Sequence, residues 1–279
     1  MRKILLLSLC AMQSVAMFAQ EISSKVVLQK GDIIKMTSDM NSSNTMSMGG
    51  DPMESKTIAK SVYELVVKEV HDSEYVISQT LKTMQMDFDG FGQKMKYDSE
   101  SKEKQDNQFT KAISEKVGVP EEFKLGFNGK VKEEETKTDK QAESKKGGGM
   151  MRMMNMGGNS IVEAAFLVIP QDAVAKGGWE ETTEKEGLTT RKKYIIGAIM
   201  GMMATVTVQS QTKGEVAINR GGMSMTTKVN TISEETLMVN TSTGKVQMNN
   251  ATITNNSKTM MGDKESPSTG KTTVTTTIE

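Results

Sequence analysis

Two long valine-rich segments joined by a short polar turn limit the folds open to this chain. Thr57–Val70 places apolar residues among polar ones, His71-Asp72-Ser73 interrupts the pattern, and Glu74–Met86 resumes it. Segments rich in β-branched residues on either side of a turn are typical of a β-hairpin. Serine, threonine and lysine are abundant along the rest of the chain, which suits antiparallel strands with one face toward water. We therefore predict a hairpin here and a mainly β fold.

The segments around this hairpin complete the first half of the chain. Lys25–Met36 is predicted as a first strand, and Met40–Glu54 as a loop because it is polar and rich in glycine and methionine. Phe109, Ile113 and Val117 have the spacing of one helix face, which predicts a short helix. Asn128-Gly129 predicts another tight hairpin turn, between strands within Glu121–Val131.

A similar order of motifs recurs in the second half. Lys176-Gly177-Gly178-Trp179 resembles Lys30-Gly31-Asp32-Ile33, and Leu65-Val66 aligns with Ile195-Ile196 at an offset of 130 residues. Thr273–Ile278 is predicted as a closing strand. We therefore predict one or more curved antiparallel sheets, built from a duplicated β-meander unit with one short helix.

The first residues have the composition of a secretory signal peptide. Arg2 and Lys3 precede the apolar run Ile4–Phe18, and Ala19 is a small residue at its end. The predicted organisation is a signal peptide at 1–19, a first β lobe at 20–135, a flexible linker rich in methionine, glycine and lysine at 136–159, and a second β lobe at 160–279. No later stretch approaches the 18 apolar residues of a membrane span, so we do not expect an integral membrane protein.

Cysteine and charge exclude several classes of function. Cys10 is the only cysteine and lies within the signal segment, so the mature chain has no disulfide, thiolate metal site or cysteine nucleophile. The whole chain has 35 basic and 35 acidic residues, and it lacks the basic excess of a nucleic-acid-binding protein. His71, Asp72 and Ser73 are adjacent in a turn and cannot form a catalytic relay. We expect neither an enzyme nor a cofactor.

Methionine is the residue type with the sharpest chemical implication. Met46, Met48 and Met53 lie in the predicted loop. Five further methionines lie close together in the predicted linker, namely Met150, Met151, Met153, Met154 and Met156. Thioethers select Cu(I), so a copper site formed by Met46, Met48, Met150, Met151, Met153 and Met154 is one interpretation. Flexible low-complexity loops and an adaptable surface for a hydrophobic ligand are the alternatives.

Three functions are consistent with these observations. The leading one is a non-enzymatic envelope binding protein for a lipid-like or protein ligand, with a cleft lined by residues such as Val66, Ile77, Ile196 and Val206. The second is a periplasmic Cu(I)-binding protein, and it requires the two methionine clusters to meet. The third is a structural or assembly protein that pairs through an uncovered sheet edge, predicted at Lys271–Ile278. The partner that we expect for this protein is an unknown hydrophobic ligand or an envelope protein.

Several short motifs resemble those of an uncharacterised family of secreted β-rich proteins from Gram-negative bacteria. They are Leu28-Gln29-Lys30-Gly31-Asp32, Tyr63–Thr80, Phe166–Pro170 followed by Gly177-Gly178-Trp179, and Gly244-Lys245-Val246. The family usually has an acidic residue where this chain has Gly178. The resemblance implies a β fold, export to the periplasm or the outer surface, and no particular reaction. The chain also has a more distant likeness, in architecture alone, to the curved half-barrels that carry lipoproteins and lipids.

Overall fold

The computed structural model describes residues 22–48, 51–101, 107–132, 159–220, 223–261 and 264–279. The predicted signal peptide at 1–19 and residues 136–158 of the predicted linker lie outside these ranges. None of the described helices is long and apolar enough to cross a membrane.

The described residues form a large antiparallel sheet with short helices, which confirms the predicted mainly β class. The strands are β1 Ile33–Met48, β2 Asp51–Val70, β3 Glu74–Gly90, β4 Gln93–Asp98, β5 Pro120–Gly126, β6 Gly178–Lys185, β7 Leu188–Met200, β8 Met203–Arg220, β9 Met223–Asn240, β10 Val246–Met261 and β11 Lys264–Ile278. The helices are α1 Gln108–Ser114, α2 Asn159–Ala164 and α3 Gln171–Lys176. Helix α1 is the predicted one. Helices α2 and α3 are six residues each, too short to produce a periodic pattern in the sequence.

One sheet contains strands from both predicted lobes. The strand order is β4-β3-β2-β1-β11-β10-β9-β8-β7-β6, and β5 pairs with β3. Almost every neighbouring pair is a hairpin; the exceptions are β5 with β3 and, at the centre, β1 with β11, where Met36 lies opposite Ile278 and Met46 opposite Ser268. The predicted edge at Lys271–Ile278 is therefore wrong, because β11 is paired on both sides, with β1 and β10.

The predicted loop Met40–Glu54 is also wrong. Strands β1 and β2 run through most of it and pair continuously from Ile33 opposite Val66 to Met48 opposite Asp51. Serine, asparagine and methionine at these positions gave no alternation of apolar and polar residues, and the sequence therefore lacked the usual strand signal. Pairing with neighbours on both sides supplies the backbone hydrogen bonds that keep this polar segment extended.

The hydrophobic core lies at one end of the sheet, which we call the floor end. This end carries the turns at 71–73, 201–202 and 241–245. The side chains of Val26, Leu65, Ile77, Leu125 and Val239 are fully inaccessible to solvent there. The opposite end, where β1 joins β2, β3 joins β4 and β6 joins β7, is called the mouth end.

Irregular segments close the floor end. The Val26 N–H donates to the carbonyl of Phe127 at 2.7 Å, and the Leu167 N–H donates to the carbonyl of Gly244 at 2.8 Å. The buried Tyr75 hydroxyl donates to the carbonyl of Val26 at 2.8 Å. The chain before β1 and the segment after α2 are thereby fixed across the floor, and they join regions far apart in the sheet.

Candidate functional site

A cavity of about 830 Å³ opens on one face of the sheet, above the floor. Its wall includes residues of β1, β2 and β3 as well as residues of β7 to β11, so strands from both halves of the sheet face the same space. The sheet is therefore curved around this cavity. Ligand cavities in proteins typically measure about 300–1,000 Å³, and this one is large enough for a lipid-sized molecule.

Strands β1 to β3 form a wall that carries methionine and aromatic side chains among serine, threonine and asparagine. Side chains in a strand alternate between the two faces, so every second residue points inward. The inward residues of this wall include Met36, Met40, Ala59, Met84 and Phe88. Ile161, Phe166 and Leu167, from α2 and the segment that follows it, add an apolar surface at the floor. Unbranched methionine side chains adapt to ligands of different shape.

Strands β7 to β10 form the opposite wall, which contains ionisable and amide side chains. Lys192 and Tyr194 lie on β7, Glu235 on β9 and Asn249 on β10. The Asn249 Nδ2 donates to Glu235 Oε2 at 3.2 Å. The Oδ1 of Asn249 is buried and accepts no hydrogen bond within the described part of the chain. The cavity is therefore amphipathic, with methionine on one wall and charge on the other.

An aromatic pair supports the charged wall at the β6 edge. Trp179 and Tyr194 lie opposite each other in the register of β6 and β7, and their rings stack with centroids 4.2 Å apart. The Tyr194 hydroxyl donates to Glu181 Oε2 at 3.1 Å, and Trp179 Nε1 donates to Oε1 of the same carboxylate at 3.3 Å. Burial, followed by the nearby charge of Glu181, raises the pKa of Tyr194 well above its usual value. Tyr194 is therefore a neutral donor near pH 7.

Above the floor the lining also contains hydroxyl and amide side chains, and Phe91 lines it in the turn between β3 and β4. Ser42 and Thr272 share a hydrogen bond of 2.8 Å, and Thr231 donates to Asn255 Oδ1 at 3.0 Å. Among the described residues that line the cavity, the ionisable ones other than tyrosine are Lys130, Glu163, Lys192 and Glu235.

The structure separates the residues that the sequence placed in a binding cleft. Ile77 and Val206 are fully buried in the core, and Ile196 packs against it. Val66 alternates with the buried Leu65 and Val67, so it lies on the other face of β2. None of these four residues lines the cavity. The prediction was wrong because it selected the most apolar residues, of which Ile77 and Val206 form the core and Val66 faces away from it.

The predicted copper ligands are only partly described. Met46 lies directly opposite Met53 across the β1–β2 pair, and Met48 lies opposite Asp51. Met150, Met151, Met153 and Met154 lie outside the described residues, so a meeting of the two methionine clusters stays a prediction. The described residues contain no group of three or more His, Asp or Glu side chains that could hold a metal ion.

Sequence reasoning missed the residues of the charged wall. Lys192, Glu235 and Asn249 lie in polar stretches that resemble any solvated strand. The available signal was the position of each charge relative to the inward-facing residues of its strand: Lys192 is two residues before Tyr194, and Glu235 is two residues before Leu237. Reading that signal requires the register of the strands and the direction of curvature, which the sequence alone does not provide.

Comparisons with known proteins agree with this geometry. The profile of a family of unknown function (DUF6263) matches residues 72–246. No curated protein matches the chain. A lipovitellin structure, titled for lipid–protein interactions, has a TM-score of 0.53 and 9% identity, and the match covers 91% of this chain and 25% of that one. This chain thus corresponds to about a quarter of the lipovitellin chain.

A second solved structure is an outer membrane channel from Pseudomonas putida F1. It matches with a TM-score of 0.27 and 8% identity, and the match covers 93% of this chain and 99% of the channel. The family match and the lipovitellin likeness confirm the resemblance to a family without a known function and the architectural likeness to lipid-carrying half-barrels.

Proposed function

We propose that this chain, which belongs to a family of unknown function (DUF6263), is a non-enzymatic envelope protein that binds a lipid-like ligand. The observation that carries this proposal is the amphipathic cavity of about 830 Å³. The methionine and other apolar side chains of the lining can contact a hydrocarbon chain, and the lysine, glutamate and asparagine side chains of β7 to β10 can contact a polar head.

The lipovitellin fold supports the same proposal. Its structure is titled for lipid–protein interactions, and a curved antiparallel sheet with the architecture of this chain is therefore compatible with lipid binding. The predicted signal peptide supports a place in the periplasm or on the outer surface, where amphiphiles have to cross water between membranes. This chain spans only a quarter of lipovitellin, so the likeness supports the mode of binding and not a shared biological role.

Native mass spectrometry of the protein purified from the periplasm of an expressing bacterium tests this proposal. We expect an adduct with the mass of a lipid, released when the protein is unfolded. Delipidated protein should bind a monoacylglycerol added in detergent-free buffer. A bare mass in both experiments would contradict the proposal.

Filling the cavity provides the structural control. Ala251 lines the cavity, whereas Ala217 is exposed on β8. We expect Ala251→Phe to reduce binding of the monoacylglycerol at least about tenfold, because the ring occupies ligand space and loses roughly 1.4 kcal/mol or more of binding free energy. Ala217→Phe should bind like the unmodified protein. Equal binding by both variants would place the ligand outside the cavity.

A further inference from the structure

Lys192 and Glu235 are charged side chains in the cavity wall, and Glu181 lies opposite Lys192 in the β6–β7 register. Both are partly buried and line the cavity. Neither forms an ion pair with any residue that the structure describes. Charged groups removed from water are normally paired, because desolvation of an isolated charge is unfavourable. Glu181 already pairs with Lys130, and the hydrogen bond from Asn249 is the one side-chain contact of Glu235 found among the described residues, so both groups keep capacity for a ligand.

The other two ionisable groups of the lining already have partners. Lys130 Nζ lies 3.8 Å from Glu181 Oε2. Glu163 Oε1 accepts the backbone N–H of Val131 at 2.7 Å. The unmatched cation and the unmatched anion are therefore confined to the wall formed by β7 to β10.

The register of the strands places the two unmatched charges a short distance apart. Lys192 lies opposite Ser210 on β8, and Ser210 lies opposite Ser233 on β9, two residues before Glu235. With about 4.8 Å between strands and about 3.4 Å per residue, the two Cα atoms are roughly 12 Å apart. Their side chains form no ion pair with each other, so the space between them can hold a group that carries both signs of charge.

Asn249 adds a third feature to the anionic side. Its Nδ2 already donates to Glu235, and its buried Oδ1 accepts nothing from the described residues. Glu235 Oε1 and Asn249 Oδ1 are thus acceptors for which the described residues provide no donor. A primary ammonium has three N–H donors, whereas a quaternary ammonium has none. The acceptor side therefore favours a primary ammonium.

From this arrangement, and resting on the proposed function, we infer that the cavity binds a zwitterionic amphiphile whose anionic group contacts Lys192 and whose primary ammonium contacts Glu235 and Asn249. The hydrocarbon chain lies against the methionine wall of β1 to β3. A net neutral head suits a lining of two lysines and two glutamates. The head lies at the charged wall, and the polar residues toward the mouth contribute little to selectivity.

Three lysolipids of equal chain length test the inference with the delipidated protein, by native mass spectrometry and by the fluorescence of Trp179. They are lysophosphatidylethanolamine, lysophosphatidylcholine and a monoacylglycerol. We expect the ethanolamine lipid to bind about tenfold or more tightly than the choline lipid, because its ammonium donates charge-assisted hydrogen bonds that a quaternary ammonium cannot form. The monoacylglycerol should bind most weakly.

The chain provides matched control variants for both charges. Lys193 and Glu234 are the exposed neighbours of Lys192 and Glu235, and alternation along each strand points them away from the cavity. Lys192→Met should weaken both phospholipids about tenfold and leave the monoacylglycerol unchanged. Glu235→Gln should remove the preference for ethanolamine over choline. Lys193→Met and Glu234→Gln should change none of these affinities.

The outcomes separate this inference from the proposed function. Equal binding of all three lipids, or equal effects of Lys192→Met and Lys193→Met, would overturn the inference and leave lipid binding intact. Failure of every lipid, including the monoacylglycerol, would overturn the proposed function as well. Lys192→Gln serves as a second variant, and circular dichroism of each variant establishes that loss of binding is not loss of folding.

Discussion

Tyr194 links the aromatic pair at the sheet edge to the cavity wall. Its ring stacks on Trp179, its hydroxyl donates to Glu181, and it is 4% exposed. The residue types alone did not reveal this role, because the partners Glu181 and Tyr194 are 13 positions apart and meet only through the β6–β7 register. The carboxylate holds the hydroxyl in one orientation, which keeps this part of the wall rigid.

The raised pKa of Tyr194 predicts a specific loss of stability in alkali. Since its pKa in the folded state is higher than in the unfolded state, the contribution is complete below the unfolded value of about 10 and falls as the pH rises above it. We expect the free energy of unfolding to decrease more between pH 8 and pH 10.5 in the unmodified protein than in Tyr194→Phe. Urea unfolding at both pH values measures this difference.

Other ionising groups provide the reference for that comparison. Tyr63 and Tyr75 also have raised pKa values, caused first by burial, and they are present in both proteins. Their contribution to the loss of stability is therefore the same in both proteins and cancels when the two decreases are compared. Identical decreases in the two proteins would show that the Tyr194 hydroxyl ionises as readily in the folded chain as in the unfolded one.

At the scale of single elements, the start of β6 depends on a glycine. Gly178 has φ of 153°, and a Cβ there would overlap the carbonyl oxygen of Tyr194 on the paired strand. Any side chain at this position, including the acidic residue usual in the resembling family, would require the backbone to shift. The close approach of β6 to β7 brings Trp179 directly over Tyr194.

Substitution at Gly178 should therefore lower the free energy of unfolding more than substitution at Gly201, another glycine with positive φ. We expect Gly178→Ala to lower the free energy of unfolding by more than about 2 kcal/mol, through backbone strain and the overlap with Tyr194. Gly201 has φ of 59° and open space around its Cβ position, so Gly201→Ala should cost about 1 kcal/mol. Thermal unfolding of both variants measures this ranking, and equal losses would contradict it.

Elements with strong local signals were predicted from the sequence, and elements fixed by their neighbours were not. The hairpin of β2 and β3, helix α1 and the turn after β5 follow from β-branched segments, helical spacing and Asn128-Gly129. Met40–Glu54 and Lys271–Ile278 were misassigned because their environment depends on the β1–β11 pairing. Position along the chain does not indicate which strand becomes central.

At the scale of the whole molecule, curvature determines which residues bind. The inward face carries core residues near the floor and an amphipathic cavity above them. The sequence predicted a curved sheet with a concave binding face, but it could not show which alternate residues faced inward. A register shift of one residue would reverse every assignment, and the shifts at Val62/Tyr63 and Val67/Glu69 show that alternation alone is insufficient.

In space, the strands follow one another as in a single meander that runs from β6 to β11 and continues through β1 to β4. The covalent chain is interrupted between β11 and β1, at the centre of the sheet. Glu279 and Lys35 exchange backbone hydrogen bonds of 2.9 Å, so the end of β11 lies beside the beginning of β1. A circular permutant that begins at residue 159, joins Glu279 to Ile22 through a short glycine-rich linker and ends at residue 132 would bring β11 and β1 close in sequence, separated by the linker and residues 22–32.

We expect that permutant to fold to the same sheet with the same lipid affinity. It should refold faster than the natural order, because the mean sequence separation of its contacts is smaller. Stopped-flow refolding compares the two rates. A permutant that refolded more slowly would indicate that the natural chain nucleates on the segments at the floor instead of on the central strands, and the position of its ends would then be part of its folding mechanism.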